Sequence, residues 1–198
     1  MRSVRPLRGA TTASALCCAI ALAGQADPIV ASAGAPAPAP CVGTNLRPSA
    51  RNVAAIDAAT LCLVNRVRAA HRVPLLRSNR ELGRVALSQV ATMVRWNYFA
   101  DIRPTGQTPL TLVAATRYPV RSAGVSIGQN IAWATGSDAT PARVVAAWMA
   151  SAPHRRVMLE GGFRDAGVAA TPRVPAVKGR GGHGATYAIE FGLRFTRR

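Results

Sequence analysis

The chain has 198 residues, which is enough for one ordinary domain with a tail and too few for two domains that each have a well-packed core. Hydrophobic residues make up 49% of it and charged residues 17%, a balance that excludes a chain kept unfolded by its charge. Lysine and arginine number 25 against 8 acidic residues, a formal net charge of +17. This excess favours anionic partners such as acidic lipid headgroups, anionic wall polymers or nucleic acid.

Nucleic acid is the least favoured of these partners. Lys178 is the only lysine, and the arginines are scattered along the chain with no run longer than two. A surface that follows a phosphate backbone tends to gather its cations along one face. Non-specific nucleic-acid binding through scattered arginines is therefore kept as a third hypothesis only.

The amino terminus is typical of a secretory signal peptide. Arg2, Arg5 and Arg8 precede an uncharged stretch, residues 9–25, that is shorter than a membrane-spanning helix requires. Small residues suited to cleavage end at Ala26 and at Ala33. We therefore expect a signal peptide within residues 1–33, cut after residue 26 or 33, with no transmembrane segment left after cleavage. An uncleaved membrane anchor is the alternative.

A Pro/Ala-rich linker and amino-terminal segment, residues 34–52, should join this leader to the folded domain, residues 53–198. Two of the four cysteines lie in the leader, so Cys41 and Cys62 remain in a chain that is expected to enter an oxidising compartment. We predict that they form a disulfide, with two buried free thiols as the alternative. No Cys/His spacing typical of structural zinc occurs.

Four helices and three strands follow from hydrophobic periodicity and from capping residues. Helices are expected from 53 to 71, from a Ser78/Glu81 capping box to 96, from Thr108-Pro109 to 117, and from Thr140-Pro141 onward; strands are expected over 126–134, 163–170 and 186–195. The last two strands should form a hairpin. Because helices come first and strands mostly last, the pattern predicts an α+β fold in which helices cover a small sheet.

Several segments resemble, in order and spacing, the bacterial branch of the CAP superfamily of cysteine-rich secretory, antigen 5 and pathogenesis-related 1 proteins. They are CLVNRVRAAHRVPLL (62–76), NYFADIRPTGQTP (97–109), GQNIAWA (128–134), AAWMASAPHRRVML (146–159), FRDAGVAA (163–170) and TYAIEFG (186–192). The resemblance spans about residues 55–195 and implies an α-β-α sandwich with a small central antiparallel sheet and a cleft on one face. It also implies a secreted, extracellular protein.

The resemblance further implies a cleft lined by His and Glu residues, which bind a divalent metal in some members of the family. The family pattern F-S-H-x-x-P-x-G falls on residues 99–106, where Asp101 replaces the histidine. The pattern G-E-N falls on residues 128–130, where Gln129 replaces the glutamate. Two of the three matched cleft positions have therefore changed their chemistry.

The third cleft position is kept. The pattern S-P-G-H-R falls on residues 151–155 and retains its histidine as His154. Gln129 can neither carry a negative charge nor accept a proton near neutral pH, so Asp101 and His154 are the only strong metal ligands left. A catalytic zinc site usually has three protein ligands. We therefore expect no cofactor, and at most a weakly bound divalent metal at Asp101 and His154.

Two further residues are candidates for this cleft. Glu190, in the last strand, is expected either to face the cleft or to form a surface ion pair with an arginine, the second being favoured. Ser151 precedes His154 by three residues, a spacing that does not by itself aim an imidazole at a hydroxyl. A Ser/His nucleophilic pair is therefore disfavoured. His71, at a helix end, and His183, in a glycine-rich loop, are expected to be solvated.

Two functions from different classes follow. The first is a secreted, non-enzymatic binding module for a lipid, a cell-wall glycopolymer or another anionic ligand. The second is a secreted hydrolase that uses His154 with Asp101 or Glu190. The altered cleft residues favour the first.

Overall fold

A computed structural model describes residues 39–176 and 184–196. The predicted leader, residues 34–38 of the linker, Lys178 and His183 lie outside the described residues. The helices are α1 (Val53–Ala70), α2 (Arg80–Arg95), α3 (Pro109–Ala114), α4 (Pro141–Ala150) and α5 (Ala152–Met158), with a short 3-10 helix at Gly136–Ala139. The strands are β1 (Arg77–Ser78), β2 (Gly124–Thr135), β3 (Asp165–Thr171) and β4 (Gly184–Phe195). No helix in these two described stretches is long and apolar enough to cross a bilayer.

The four strands form one sheet in the order β1-β3-β4-β2. Strand β4 is antiparallel to both of its neighbours, and it pairs with β2 from one end to the other. The expected hairpin of the last two strands is therefore confirmed. At one edge, the sheet differs from the expected antiparallel pattern. There, β1 pairs in parallel with the first two residues of β3. The sheet is mixed, and its parallel part is two residues long.

Helices cover both faces of the sheet, which confirms the expected α+β sandwich. Alternate side chains of β4, Tyr187, Ile189 and Phe191 among them, are fully buried in a core that α1, α4 and α5 share. The intervening Ala188 packs against α2 on the opposite face. Because successive side chains of a strand point to opposite faces, Glu190 lies on the α2 face as well.

Helix α2 begins one residue later than the Ser78/Glu81 capping box predicts, and that prediction is wrong. Its N-cap is Asn79, whose Oδ1 accepts hydrogen bonds from the backbone N–H groups of Glu81, at 3.0 Å, and Leu82, at 3.2 Å. Ser78 belongs instead to β1, where it pairs with Ala166. By contrast, the predicted Thr108 cap of α3 is confirmed as a capping box with Thr111.

The segment before α1 is tied to the domain. Cys41 and Cys62 form the predicted disulfide across a sequence separation of 21 residues. The backbone N–H of Ala142 donates a hydrogen bond to the carbonyl of Thr44, at 2.9 Å, which links this segment to α4. In the chain-entropy model a loop of this length stabilises the folded state by about 3 kcal/mol.

Candidate functional site

Gln129 and Glu190 face each other across the two central strands. They are directly paired in the register of β2 and β4, and Gln129 Nε2 donates a hydrogen bond to Glu190 Oε1. The other side-chain oxygens, Gln129 Oε1 and Glu190 Oε2, are buried with no hydrogen-bond partner among the described residues. The amide that replaces the family's glutamate therefore lies next to a carboxyl group on the neighbouring strand.

Glu190 is fully buried, so the favoured expectation of a surface ion pair with an arginine is wrong. The pKa of Glu190 is raised to about 8, mainly by burial; the hydrogen bond from Gln129 and the charge of Arg103 lower it, and the charge of Asp101 adds to the rise. The carboxyl group is therefore mainly protonated at neutral pH. The sequence predicts that Glu190 lies in a strand. It does not show that helices cover both faces of the sheet, so the burial of Glu190 could not be predicted.

The segment that follows α2 is held by buried polar side chains. Gln89 of α2 is fully buried, and its Nε2 donates to the carbonyl of Ala100, at 2.9 Å. Gln89 Oε1 accepts from Arg103 Nε at 3.1 Å, and Arg103 Nη2 donates to Ser88 Oγ at 2.8 Å. Sequence reasoning assigned no role to Gln89 or Arg103. The available signal was a polar Gln89 on the apolar face of α2.

Asp101 lies in this same segment, and the residue as a whole is exposed. Partial burial raises the pKa of its carboxyl group, and the nearby His154 opposes that rise. Asp101 therefore lies close enough to His154 and to Glu190 for their charges to interact. Within the described parts of the chain, no hydrogen bond joins Asp101 to His154.

His154 is half-buried in α5, and β2 fixes its position. Asn130 Nδ2 donates to the backbone carbonyl of His154 at 3.0 Å. The imidazole Nδ1 lies 2.8 Å from Ser151 Oγ, with the tautomer deciding which atom donates. The two side chains are therefore in contact, although the spacing alone did not predict it. Ser151 is the N-cap of α5 and His154 is three residues later, so this first helical turn brings the two side chains together.

The structure thus places Asp101 within reach of the charges of His154 and Glu190, and it joins Glu190 to Gln129 by a hydrogen bond. This donor set does not suit a resident divalent metal. Gln129 Nε2 already donates to one Glu190 oxygen, and burial keeps that carboxyl group mainly neutral. Within residues 39–176 and 184–196, no three His, Cys, Asp or Glu side chains are grouped so as to hold a metal ion.

The aromatic residues near the site are packing residues. Trp148 is buried, and its indole N–H donates to the carbonyl of Ile131 at 3.0 Å. Tyr98 is half-buried, with its hydroxyl 3.0 Å from Thr92 Oγ1. The ring of Trp148 therefore offers no exposed face for stacking with a nucleic-acid base.

Comparison with known proteins now decides the family. Residues 61–173, more than half of the chain, match the model of CAP, the cysteine-rich secretory protein family. The chain belongs to this CAP family. Among curated proteins, no sequence matches it significantly.

Three solved structures share the CAP fold with this chain, each with a TM-score of 0.52. An outer surface protein from Borrelia burgdorferi is 16% identical over 68% of this chain and 89% of its own. An extracellular protein with an SCP domain from Bacillus anthracis is 24% identical over 73% of this chain and 41% of its own. A cysteine-rich secretory protein from Staphylococcus aureus is 14% identical over 74% of this chain and 40% of its own.

This CAP chain therefore spans about two fifths of the length of the two longer neighbours. At such identities the likeness is one of fold. In the Borrelia protein, which is shorter than this chain, the shared fold makes up most of the chain.

Proposed function

We propose that this CAP domain is an exported, non-enzymatic binding module for a lipid, a cell-wall glycopolymer or another anionic ligand. The observation that carries the proposal is the burial of the Glu190 carboxyl group beside the Gln129 amide. Glu190 is inaccessible beneath the surface, and Gln129 replaces the glutamate of the family pattern. A general acid or base has to reach the proton that it transfers, which the buried Glu190 does not, and the amide of Gln129 does not exchange a proton near neutral pH.

Two further observations support export and an anionic ligand. The Cys41–Cys62 disulfide suits an oxidising compartment, where such bonds persist. The formal net charge of the chain is +17, and loss of the predicted leader would leave most of this excess to attract anions. No cofactor enters the proposal.

His154→Ala tests the non-enzymatic role. The probes are phosphatidylglycerol vesicles, a soluble glycerol-phosphate polymer, and ester and glycan substrates for hydrolysis. We expect binding of the anionic probes to stay within about two-fold of the wild type, with no turnover in either protein. The control is His71→Ala, an exposed histidine whose Nδ1 contacts only the carbonyl of Val67 at its own helix end. Hydrolysis that His154→Ala abolishes and His71→Ala retains would contradict the proposal.

A hydrolase is the second candidate function, and one contact favours it. Ser151 Oγ and His154 Nδ1 lie 2.8 Å apart, which is the geometry of an activated nucleophile, and Asp101 supplies a nearby negative charge. Diisopropyl fluorophosphate tests this function directly. Labelling of Ser151 that disappears in His154→Ala would identify an enzyme, while labelling no stronger than that of the exposed Ser137 would exclude the nucleophilic pair.

A further inference from the structure

A concave site lies at the end of the sheet where β1 and β3 begin and β4 ends. It is a groove of about 360 Å³, lined by four arginines and one acidic residue: Arg77, Arg121, Arg164, Arg194 and Asp165. We call it the arginine groove. None of the four candidate cleft residues lines it.

The single acidic residue of the groove is already engaged. Asp165 is buried, and its Oδ2 accepts a hydrogen bond from the Tyr118 hydroxyl at 3.0 Å. Arg194 Nε lies 3.6 Å from the same oxygen, and the Arg194 guanidinium stands over the Tyr118 ring, 5.3 Å from its centre. One carboxylate therefore neutralises one of four guanidinium groups. An excess of three positive charges remains around one concavity.

The other three arginines divide into one that is held in place and two that are available. Arg164 Nη1 donates to the carbonyls of Gly161, Gly162 and Phe163 at 2.6–3.0 Å, which holds its guanidinium at the rim. Arg77 and Arg121 are exposed, and their side chains make no hydrogen bond within the described residues. Guanidinium groups bind phosphate through paired N–H donors, so this arrangement is suited to a phosphate group.

Apolar side chains stand beside these charges. Val120 is 57% exposed and Phe195 is 47% exposed, and both line the groove together with the half-buried Leu193. A soluble phosphate gains nothing from exposed apolar side chains. A bilayer surface presents phosphate headgroups directly above hydrocarbon, so it matches guanidinium groups flanked by apolar side chains.

We propose that the arginine groove binds the phosphate headgroups of an anionic lipid surface, with Val120 and Phe195 entering the boundary of the acyl chains. The inference rests on the proposed function for its anionic ligand, but it places binding away from the Gln129–Glu190 pair. The phosphate lies among Arg77, Arg121 and Arg164. Arg194 remains with Asp165 and Tyr118.

The experiment measures partition of the full chain, purified from an exporting host, between buffer and vesicles at 0.15 M NaCl. Vesicles of phosphatidylglycerol and phosphatidylcholine are compared with vesicles of phosphatidylcholine alone. The amino-terminal segment is the same in the wild type and in the variants, so its contribution cancels when their ratios are compared. Arg77→Ser/Arg121→Ser should lower this ratio about thirty-fold, because each cation near an anionic surface contributes about 1 kcal/mol.

The matched control is Arg95→Ser/Arg173→Ser, which removes the same charge. Arg95 ends α2 and Arg173 follows β3, both at the opposite end of the sheet, and both are exposed. We expect this pair to lower the ratio less than three-fold. Equal losses in the two double variants would overturn the groove and leave general basicity as the cause. Circular dichroism melts of both variants show whether either has lost its fold.

Val120→Ser separates the lipid surface from a soluble anion. It should lower binding to the anionic vesicles and leave binding to a soluble glycerol-phosphate polymer unchanged. If the wild type binds the polymer through Arg77 and Arg121 but does not bind vesicles, the lipid assignment is wrong and the proposed anionic binding function stands. If the wild type binds neither probe, the anionic function itself is overturned.

Discussion

Glu190 is the residue whose surroundings have the clearest measurable consequence. Its pKa rises from an ordinary 4.5 to about 8, mainly because the side chain is buried. Between these values the folded chain keeps a proton that the unfolded chain releases. Stability from this group is therefore complete below about pH 4.5 and is lost as the pH rises towards 8, by about 1.4 kcal/mol per pH unit at most.

Glu190→Gln should remove this contribution, because glutamine has a similar shape and does not titrate. The free energy of unfolding, measured by urea denaturation between pH 5 and 7.5, should fall more steeply in the wild type than in the variant, by about 1.4 kcal/mol per pH unit. Asp57, whose pKa burial raises to about 7, gives a slope of the same sign that the variant keeps. Glu81→Gln, at a carboxylate paired with Arg84 on the surface, is the control. Parallel slopes for wild type and Glu190→Gln would show that Glu190 ionises normally.

At the scale of elements, the contact between α2 and β3 depends on a glycine. A Cβ atom at Gly167 would overlap the backbone of Leu82 and Gly83, so the helix lies directly on the strand. Gly167→Ala should force the two elements apart and lower the free energy of unfolding by about 2–3 kcal/mol, as overpacking does. The measurement is urea denaturation at one pH.

Gly83→Ala is the matched control on the other side of the same contact. A Cβ at Gly83 meets nothing within 4 Å. Alanine is the better helix former, so this variant should gain up to about 1 kcal/mol. The free energy of unfolding should therefore fall in Gly167→Ala and rise in Gly83→Ala. A loss of similar size in both variants would mean that the contact tolerates no added atom on either side.

The elements themselves could be predicted from the sequence because their signals are local. The 3.6-residue periodicity of α2 and the Thr108-Pro109 start of α3 both depend on residues within a few positions of each other. The start of α2 was misplaced because Ser78 and Asn79 are both good N-caps, and the pairing of β1 with β3 decided between them. That pairing joins residues far apart in the sequence, so no local pattern shows it.

The candidate site was predictable in its residues and less so in its contacts. Motif order identified Asp101, Gln129 and His154, since each lies in a recognisable segment. The pairing of Gln129 with Glu190 follows from strand register, which hydrophobic patterns set only approximately. Arg68 shows the limit more sharply: it is fully buried and donates to the carbonyls of Pro74, Met158, Glu160 and Phe163. Arg68 follows Thr60 and Val64 at steps of four on the buried face of α1, so its spacing fits the core, but its charge argues against burial.

At the scale of the whole molecule, the positive charge has two separable effects. It gives a general attraction for anions, which any exposed arginine strengthens, and it gives a local excess in the arginine groove. Arginines also lie at the far end of the sheet, where Arg95 ends α2 and Arg143 faces Asp138 at 3.8 Å. Duplex DNA is a stiff polyanion without an apolar layer. It should therefore respond to the general attraction and not to the arginine groove.

Binding to a random 20-base-pair duplex should therefore be weak at 0.15 M NaCl and should fall steeply with salt, because counterion release supplies its free energy. Fluorescence anisotropy from 0.02 to 0.2 M NaCl measures the slope. Arg77→Ser/Arg121→Ser and Arg95→Ser/Arg173→Ser should weaken DNA binding equally, since each removes two exposed charges. A selective loss in the groove variant, with tight binding at 0.15 M NaCl, would make nucleic acid the ligand of the groove and would remove the reason for assigning it to a lipid surface.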